Sequence, residues 1–420
     1  MQKENKVLIN NTIMMYLMCI AKIVIPLVSL PYLTRVLTVD CYGSVSFVKS
    51  IINYFQILIE FGFLLSATKD IVDILKNKEN PNKVIGDTLY AQMMLCIISL
   101  IGMIILCLCM DILKGYELFA FLSLVVVFLS IFLFEYVFKA YEQMGKIAIR
   151  YVLMKVVALI LTLIFVKNDS QILLIPIFDI IASIVAIVMV IFQMKKLGVS
   201  VNFSIKRIKD GFVSLKNSFI YFMSNFATTA FGALNTVIIG ICLSTSDVAF
   251  WSITMQMVAV VQTLYNPIIS SVFPTMLKQK NLKIIHKVML IYMPLILVGC
   301  GLIILLGDWV VTLVFTENYL MSSTLLKYLI PLLIVSFPAM LYGWPCLGPI
   351  NKQKATTIST IISAVVQVLG LILLAIIGKF TLLGICIVRN ATELVLCVIR
   401  MSLVYKNKNK YEDIFKGEKL

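Results

Sequence analysis

The sequence predicts an all-α polytopic membrane protein of about twelve transmembrane helices. Three observations carry this reading. Of 420 residues, 61% are hydrophobic and 14% charged, where a soluble domain has roughly 45–50% and about 25%. The apolar residues fall in long blocks separated by polar clusters, each near the ~20 residues that let a helix cross a bilayer core of about 30 Å. The period-two alternation of barrel strands is missing from these blocks.

The expected spans are, in order, 8–33, 43–66, 87–109, 118–138, 147–166, 171–194, 216–242, 249–273, 285–306, 324–343, 355–377 and 381–404. The first is too long, and lacks a clear small-residue cleavage site, for a removable signal peptide. With the N-terminus placed in the cytoplasm, the connections on that side hold 26 of the 36 Lys and Arg residues. Only Arg35, Lys114, Lys167 and Lys379 fall opposite. This bias follows the positive-inside rule and predicts both termini to be cytoplasmic. It also accounts for most of the net charge of +15 by topology, and nucleic acid is not an expected partner.

A weak internal repeat superposes Asn10 on Asn217 and Asp40 on Asp247. Six spans per half give two lobes of the same orientation: an N-lobe, 1–210, and a C-lobe, 211–420, joined through the basic loop from Lys195 to Lys216. A cavity between the lobes near the midplane is the expected consequence. Prolines punctuate several spans (Pro26, Pro31, Pro176, Pro267, Pro274, Pro294 and others). They are read either as bends that a rocking transporter uses or as packing kinks.

Ten charges remain inside the spans, each costing about 2.5–3.5 kcal/mol near a helix centre. Arg400 and Lys327 lie near span ends and are expected to snorkel. Glu135 and Lys139 read as a local i,i+4 pair. Arg389 and Glu393 share that spacing and either pair structurally or line the cavity. Asp179 either titrates, coupling a proton or sodium ion, or bonds a neighbouring helix. Lys22 and Lys49, at similar depth, have no acid three or four residues away on their own helices. They call for an anionic ligand or an acid on another helix. Steps of 100° per residue place Lys49, Asn53, Gln56 and Glu60 on one stripe about 16 Å long, which should face water in a cavity. Span seven carries Asn217, Tyr221, Ser224, Asn225, Thr228 and Asn235, a face suited to helix packing or to sugar hydroxyls. Lys155 joins the interior cations.

Several function classes are excluded or made remote. No P-loop, G-x-S-x-G, H-E-x-x-H or selectivity-filter motif is present. The cysteines sit mostly in apolar blocks without a C-x-x-C pair, and His286 is alone, so neither a metal nor another cofactor is expected.

The segments "PYLTRVL" (31–37), Tyr42-Gly43 and "EFGFLLSATKD" (60–70), with "YEQM" (141–144), "SVFP" (271–274) and "GKFTLLGI" (378–385), resemble the Wzx-type polysaccharide flippases. Their superfamily also holds the multidrug and toxin extruders (MATE) and the lipid II flippase. The chain departs from that pattern at Thr38, Glu60 and Tyr141, where the family usually has Gly, Asp and Gly. The resemblance implies a MATE-like bundle of two six-helix lobes in the bacterial inner membrane. Such a bundle moves an undecaprenyl-pyrophosphate-linked oligosaccharide outward by alternating access, driven by an ion gradient, for O-antigen or capsule. No covalent bond is made, so the protein is not expected to be an enzyme. Lys22, Lys49 and Arg389, with Lys155, Asn53 and Gln56, would contact substrate. Arg35 would serve the outer gate or lipid headgroups, and Asp179, Glu60 and Glu393 are the ion-coupling candidates. Membrane lipids, a polysaccharide polymerase and chain-length proteins are the further partners it implies. Two alternatives stand beside it: an ion-coupled multidrug exporter of the same fold, and a non-transporting scaffold of a polysaccharide assembly complex.

Overall fold

The computed structural model describes residues 2–199 and 208–412, without the side chains of 2–10, 12, 208–209, 220, 224–225, 227–233 and 412. Every regular element among the described residues is helical. Eleven helical segments among them are long and apolar enough to cross a membrane. The chain divides into two compact units, Met1–Val237 and Ile238–Leu420.

The first unit contains α1 (Gln2–Val36), α2 (Val39–Glu60), α3 (Phe63–Lys76), α4 (Asn82–Cys109), α5 (Glu117–Ser130), α6 (Glu135–Ala140), α7 (Met144–Phe165) and α8 (Leu174–Lys196). It also contains most of α9 (Ile208–Cys242), which takes in the seventh expected span, 216–242, and starts eight residues before it. Two expected spans are interrupted. Span 43–66 breaks where Phe61 and Gly62 adopt left-handed backbone, φ 41° and 73°, which turns the chain out of the helix. Span 118–138 breaks at a single 3-10 turn, Ile131–Leu133, followed by Phe134 at φ 45°.

The first of these breaks seats α9. A Cβ at Gly62 would stand 2.7 Å from Tyr221 Cβ and 2.8 Å from the Phe222 nitrogen. Phe61 stacks on Phe222 with ring centroids 4.4 Å apart. Ser66 and Ser218 share a buried hydroxyl hydrogen bond of 2.7 Å.

Helix α4 shows what solvent the fold was built for. Its buried face includes Thr88, Gln92 and Ser99, while Ile97, Ile101, Ile105 and Leu108 point outward. Lipid tails are as apolar as a leucine, so small and polar side chains gain more by facing other helices than by facing lipid.

Helices α1 and α7 run parallel in fixed register. Asn11 Nδ2 donates to the Glu142 carbonyl at 2.7 Å, and Tyr32 OH donates to the carbonyls of Leu163 and Val166. The Thr38 amide and hydroxyl donate to Asp169 at 2.9 and 2.6 Å. The Asn11, Tyr32–Leu163 and Thr38 contacts each join residues 131 positions apart. Thr38 also caps α2, its Oγ1 accepting from the Cys41 amide.

The second unit begins with α10 (Thr245–Gln279), opened by a reciprocal capping box between Ser244 and Asp247. Thr38 and Ser244 each cap the helix that carries one of the two superposed aspartates, Asp40 on α2 and Asp247 on α10. Helix α10 runs through Pro267 and Pro274, and α11 (Leu282–Phe315) through Pro294. The tenth expected span is assembled from α12 (Leu320–Tyr328), α13 (Ile330–Leu341) and α14 (Trp344–Leu347). Helices α15 (Gln353–Ile376), α16 (Leu382–Lys406) and α17 (Asn409–Glu412) complete the unit.

Three expectations about charges change here. Arg400 does not snorkel: its guanidinium donates to Ser359 Oγ (3.1 Å), the Ala339 carbonyl (2.8 Å) and Thr360 Oγ1 (3.1 Å), tying α16 to α13 and α15. Lys327 instead bonds Asp308 of α11 at 2.7 Å. Glu135 and Lys139 form no ion pair with each other among the described residues. Both line a largely apolar cavity of about 430 Å³ beside α1.

Candidate anion site in the first unit

The α2 stripe has the geometry its spacing predicts. Lys49, Asn53 and Gln56 are exposed and Glu60 is half-buried, while Val48, Ile51, Ile57 and Ile59 on the other faces are buried. Gln56 Nε2 donates to Glu60 Oε1 at 2.8 Å, so the lower end of the stripe is internally satisfied. Lys49, at the other end, makes no hydrogen bond or ion pair among the described residues.

The acid that Lys49 lacks locally stands on another helix. Lys155 of α7 donates to Asp179 of α8, Nζ to Oδ1, at 2.8 Å. Both members of this pair act electrostatically on Lys49. Ser183, one turn on, donates to the Asp179 carbonyl at 2.7 Å and fixes the backbone that presents the carboxylate. Lys155 holds this carboxylate, and Lys49 bonds no acid among the described residues.

The third lysine lies nearby. Lys22 Nζ sits 5.4 Å from the centroid of the Tyr151 ring, a cation–π arrangement that partly replaces lost hydration. Tyr151 is one turn before Lys155 on α7, and its hydroxyl interacts electrostatically with Lys155, Asp179 and Glu135. Lys22 and Glu135 both act on Glu60. Lys22, Lys49 and Lys155 are thus brought into one electrostatic neighbourhood on α1, α2 and α7.

The remaining candidates lie elsewhere. Arg35 is exposed in the last turn of α1, one turn before the Thr38–Asp169 junction. Arg389 and Glu393 pair along α16 of the second unit at 3.4 Å, with side-chain exposures of 24% and 8%; the acid is thus largely enclosed by protein. Of the polar face expected on α9, Ser224, Asn225 and Thr228 lie outside the described side chains. Asn217 is exposed and Asn235 buried.

Two residues of this neighbourhood escape the reading of the sequence. Tyr151 follows from its i,i+4 relation to Lys155, a signal that was there to be used. Arg150 is 2% exposed, with its guanidinium 5.2 Å from the Phe138 ring centroid. Glu135 acts on it electrostatically. The charge bias between spans places it in a loop.

Solved structures of similar architecture include multidrug transporters. An inward-facing multidrug resistance MATE family transporter of the MOP superfamily matches with a TM-score of 0.60 at 13% identity, over 92% of this chain and 96% of its own. Its outward-facing conformation matches with a TM-score of 0.60 at 14% identity, over 97% and 96%. At these identities the likeness shows the fold alone, which is MATE-like. Among sequence relatives, a protein of Shigella dysenteriae described as a candidate O-antigen transporter is 24% identical over 86% of this chain and 91% of its own length. One of Escherichia coli K12 with the same description is 22% identical over 60% of each. The model of the polysaccharide biosynthesis protein family matches residues 8–280, well over half of the sequence. This multi-pass membrane protein belongs to the polysaccharide biosynthesis protein family.

Proposed function

We propose that the protein is a flippase of the bacterial cytoplasmic membrane. In this reading it carries undecaprenyl-pyrophosphate-linked oligosaccharide units to the outer leaflet by alternating access, driven by an ion gradient, for O-antigen or capsule synthesis. The observation that carries it is a set of three lysines inside the spans of one unit: Lys155 bonds Asp179 at 2.8 Å, Lys22 lies over Tyr151 one turn away on α7, and Lys49, exposed on α2, makes no hydrogen bond or ion pair among the described residues. A lysine inside a membrane span is expensive, and an unmatched one is stabilised when an anion arrives. A pyrophosphate meets that need with several acceptor oxygens, and lysine binds it as a point charge with three donors. Asn53 and Gln56, exposed below Lys49 on the same stripe, offer both donors and acceptors to sugar hydroxyls. The descriptions of the two relatives agree with this reading.

No covalent bond changes. The protein lowers the cost of taking a phosphate through a low-dielectric region by supplying charge in place of water. An exporter of cationic drugs calls for an acid on the first span, which offers Lys22 and none, and a scaffold has no use for cations inside its spans.

Cells carrying Lys49→Ala or Lys22→Ala as their sole copy, at wild-type protein level, test this. The expected result is loss of surface polysaccharide with lipid-linked repeat units accumulating at the inner leaflet. Drug sensitivity with intact polysaccharide would establish the exporter instead. Intact polysaccharide without drug sensitivity sinks both transport readings.

A further inference from the structure

The cavity of about 430 Å³ beside α1 is lined by none of the three lysines described above. Met15, Met18 and Cys19 of α1, Leu64 of α3 and Met144 and Ile147 of α7 make most of its wall apolar. Two charged side chains also line it, Glu135 and Lys139 of α6. Both are half-buried, and neither makes a hydrogen bond or ion pair among the described residues. Arg150 acts electrostatically with Glu135 but does not bond it. Its terminal guanidinium nitrogens are enclosed by protein and stand over the Phe138 ring, outside the cavity wall. The charge bias of the connections assigns this end of the spans to the cytoplasm. Glu135 and Lys139 stand at the close of the fourth expected span, 118–138, and Ile147 opens the fifth. That is the depth at which lipid headgroups give way to chains.

We infer that the cavity binds one phospholipid of the inner leaflet whose headgroup is zwitterionic and ends in a primary amine. The phosphate meets Lys139, the ammonium meets Glu135, and an acyl chain fills the apolar part. This does not depend on the anion reading of the three lysines. An apolar hollow offers water few partners, and left empty its lining loses dispersion contacts that a chain restores. Side chains four residues apart on a helix have Cβ atoms about 5–6 Å apart, and a phosphate and an amine joined by two carbons span a gap of the same order. The two charges also select among headgroups. An anionic lipid satisfies Lys139 but leaves Glu135 unpaired beside added negative charge. A choline headgroup brings a cation with no N–H to donate. A primary ammonium brings three donors and makes a charge-assisted bond to the carboxylate. Occupancy braces α1 as well: Met18 lies one turn before Lys22, so a chain packed on Met15, Met18 and Cys19 supports the part of α1 that carries it.

The test is native mass spectrometry of the purified, delipidated full-length protein with phosphatidylethanolamine, phosphatidylcholine and phosphatidylglycerol of identical chains. Wild type is expected to bind one phosphatidylethanolamine about tenfold more tightly, or better, than either of the others, as one charge-assisted hydrogen bond allows. Glu135→Gln is expected to bring phosphatidylethanolamine and phosphatidylcholine to equal affinity, and Glu135→Lys to favour phosphatidylglycerol. Glycerophosphoethanolamine, which has the headgroup without chains, is expected not to compete. Should the Glu135 variants not yield monodisperse protein, Cys19→Trp serves: it fills the cavity from an exposed position on α1, keeps both charges, and is expected to lose the tightly bound lipid. Equal affinities in wild type, or a preference there for phosphatidylglycerol, overturn the zwitterion reading. An ethanolamine preference that survives Glu135→Gln or Cys19→Trp puts the lipid elsewhere and overturns the site, and effective competition by the chainless headgroup overturns the role of the apolar wall.

Discussion

Replacing Gly62 by alanine tests the joint between the α2–α3 break and α9. Two costs add. Gly62 sits at φ 73°, where an L side chain costs roughly 1–2 kcal/mol. The new methyl would also stand 2.7 Å from Tyr221 Cβ and 2.8 Å from both the Tyr221 carbonyl carbon and the Phe222 nitrogen. Two of these atoms are backbone of a helix, which cannot rotate away, so α9 must shift; overpacking of this kind costs about 1–3 kcal/mol. The sum is about 2–5 kcal/mol, and at roughly 2–4 °C per kcal/mol for a unit of this size the midpoint falls by about 4–20 °C. The assay is thermal unfolding of the full chain in detergent with a dye that fluoresces on reaching buried thiols, such as Cys96, Cys346 and Cys386. Gly378→Ala is the internal control, for it has a similar φ of 68° but nothing within 4 Å of where its methyl would stand. It carries the backbone cost without the packing cost. A Gly62→Ala midpoint equal to that of Gly378→Ala refutes the claim that α9 is seated on the break.

Arg400→Lys keeps the charge but cannot reach three acceptors on two helices, and should lower stability by about 2–4 kcal/mol, each lost bond from a charged donor being worth roughly 1.5–3; a wild-type unfolding midpoint counts against the tie. Asp169→Ala removes both acceptors of Thr38 and should cost about 1–3 kcal/mol. In that variant, amide exchange should rise first at the start of α2, and uniform exchange would show the junction to be unimportant. In the turn between α4 and α5, the Lys114 ammonium beside Asp111 holds its carboxyl below the usual carboxylate range. The sign is that of a depressed acid: any stabilisation is present above the ordinary aspartate pKa and fades as pH falls through the lowered one. The pair is fully solvent-exposed, so Asp111→Asn should match wild type at pH 7 and at pH 4, and a midpoint difference confined to the higher pH would contradict this.

The membrane class, the order of the spans and the α2 stripe were legible because each rests on a local quantity: block hydropathy, charge bias and a 100° step. Helices α2 and α10 begin four residues before the expected spans 43–66 and 249–273, at polar caps that block hydropathy does not register. The breaks were not legible. Phe61 and Phe134 adopt left-handed backbone, which phenylalanine does not advertise, and the packing of α9 and the 3-10 turn decides it. The Lys155–Asp179 pair was not legible either, since α7 and α8 bring together residues 24 positions apart only in three dimensions. Arg400 was misread for the same reason. Its distance from a span end suggested snorkelling, but Gly343, whose Cβ would stand 3.1 Å from an Arg400 guanidinium nitrogen, leaves room for it to turn inward.

The constant separation of 131 residues along α1 and α7 makes each helix a gauge of the other's length. Deleting one residue between Asn11 and Tyr32 shifts everything beyond it by 1.5 Å and 100°, so the contacts at one end can form only by giving up those at the other. Since Lys22 rides on α1 and Lys155 on α7, the same slip would turn one site lysine away while leaving the other in place. Length changes in these two helices should therefore be tolerated only in matched pairs. The turn at 77–80, exposed and lying between them in the chain, is where a tag or reporter is expected to be tolerated without disturbing the site, whereas the 110–116 turn is held by the buried Leu113.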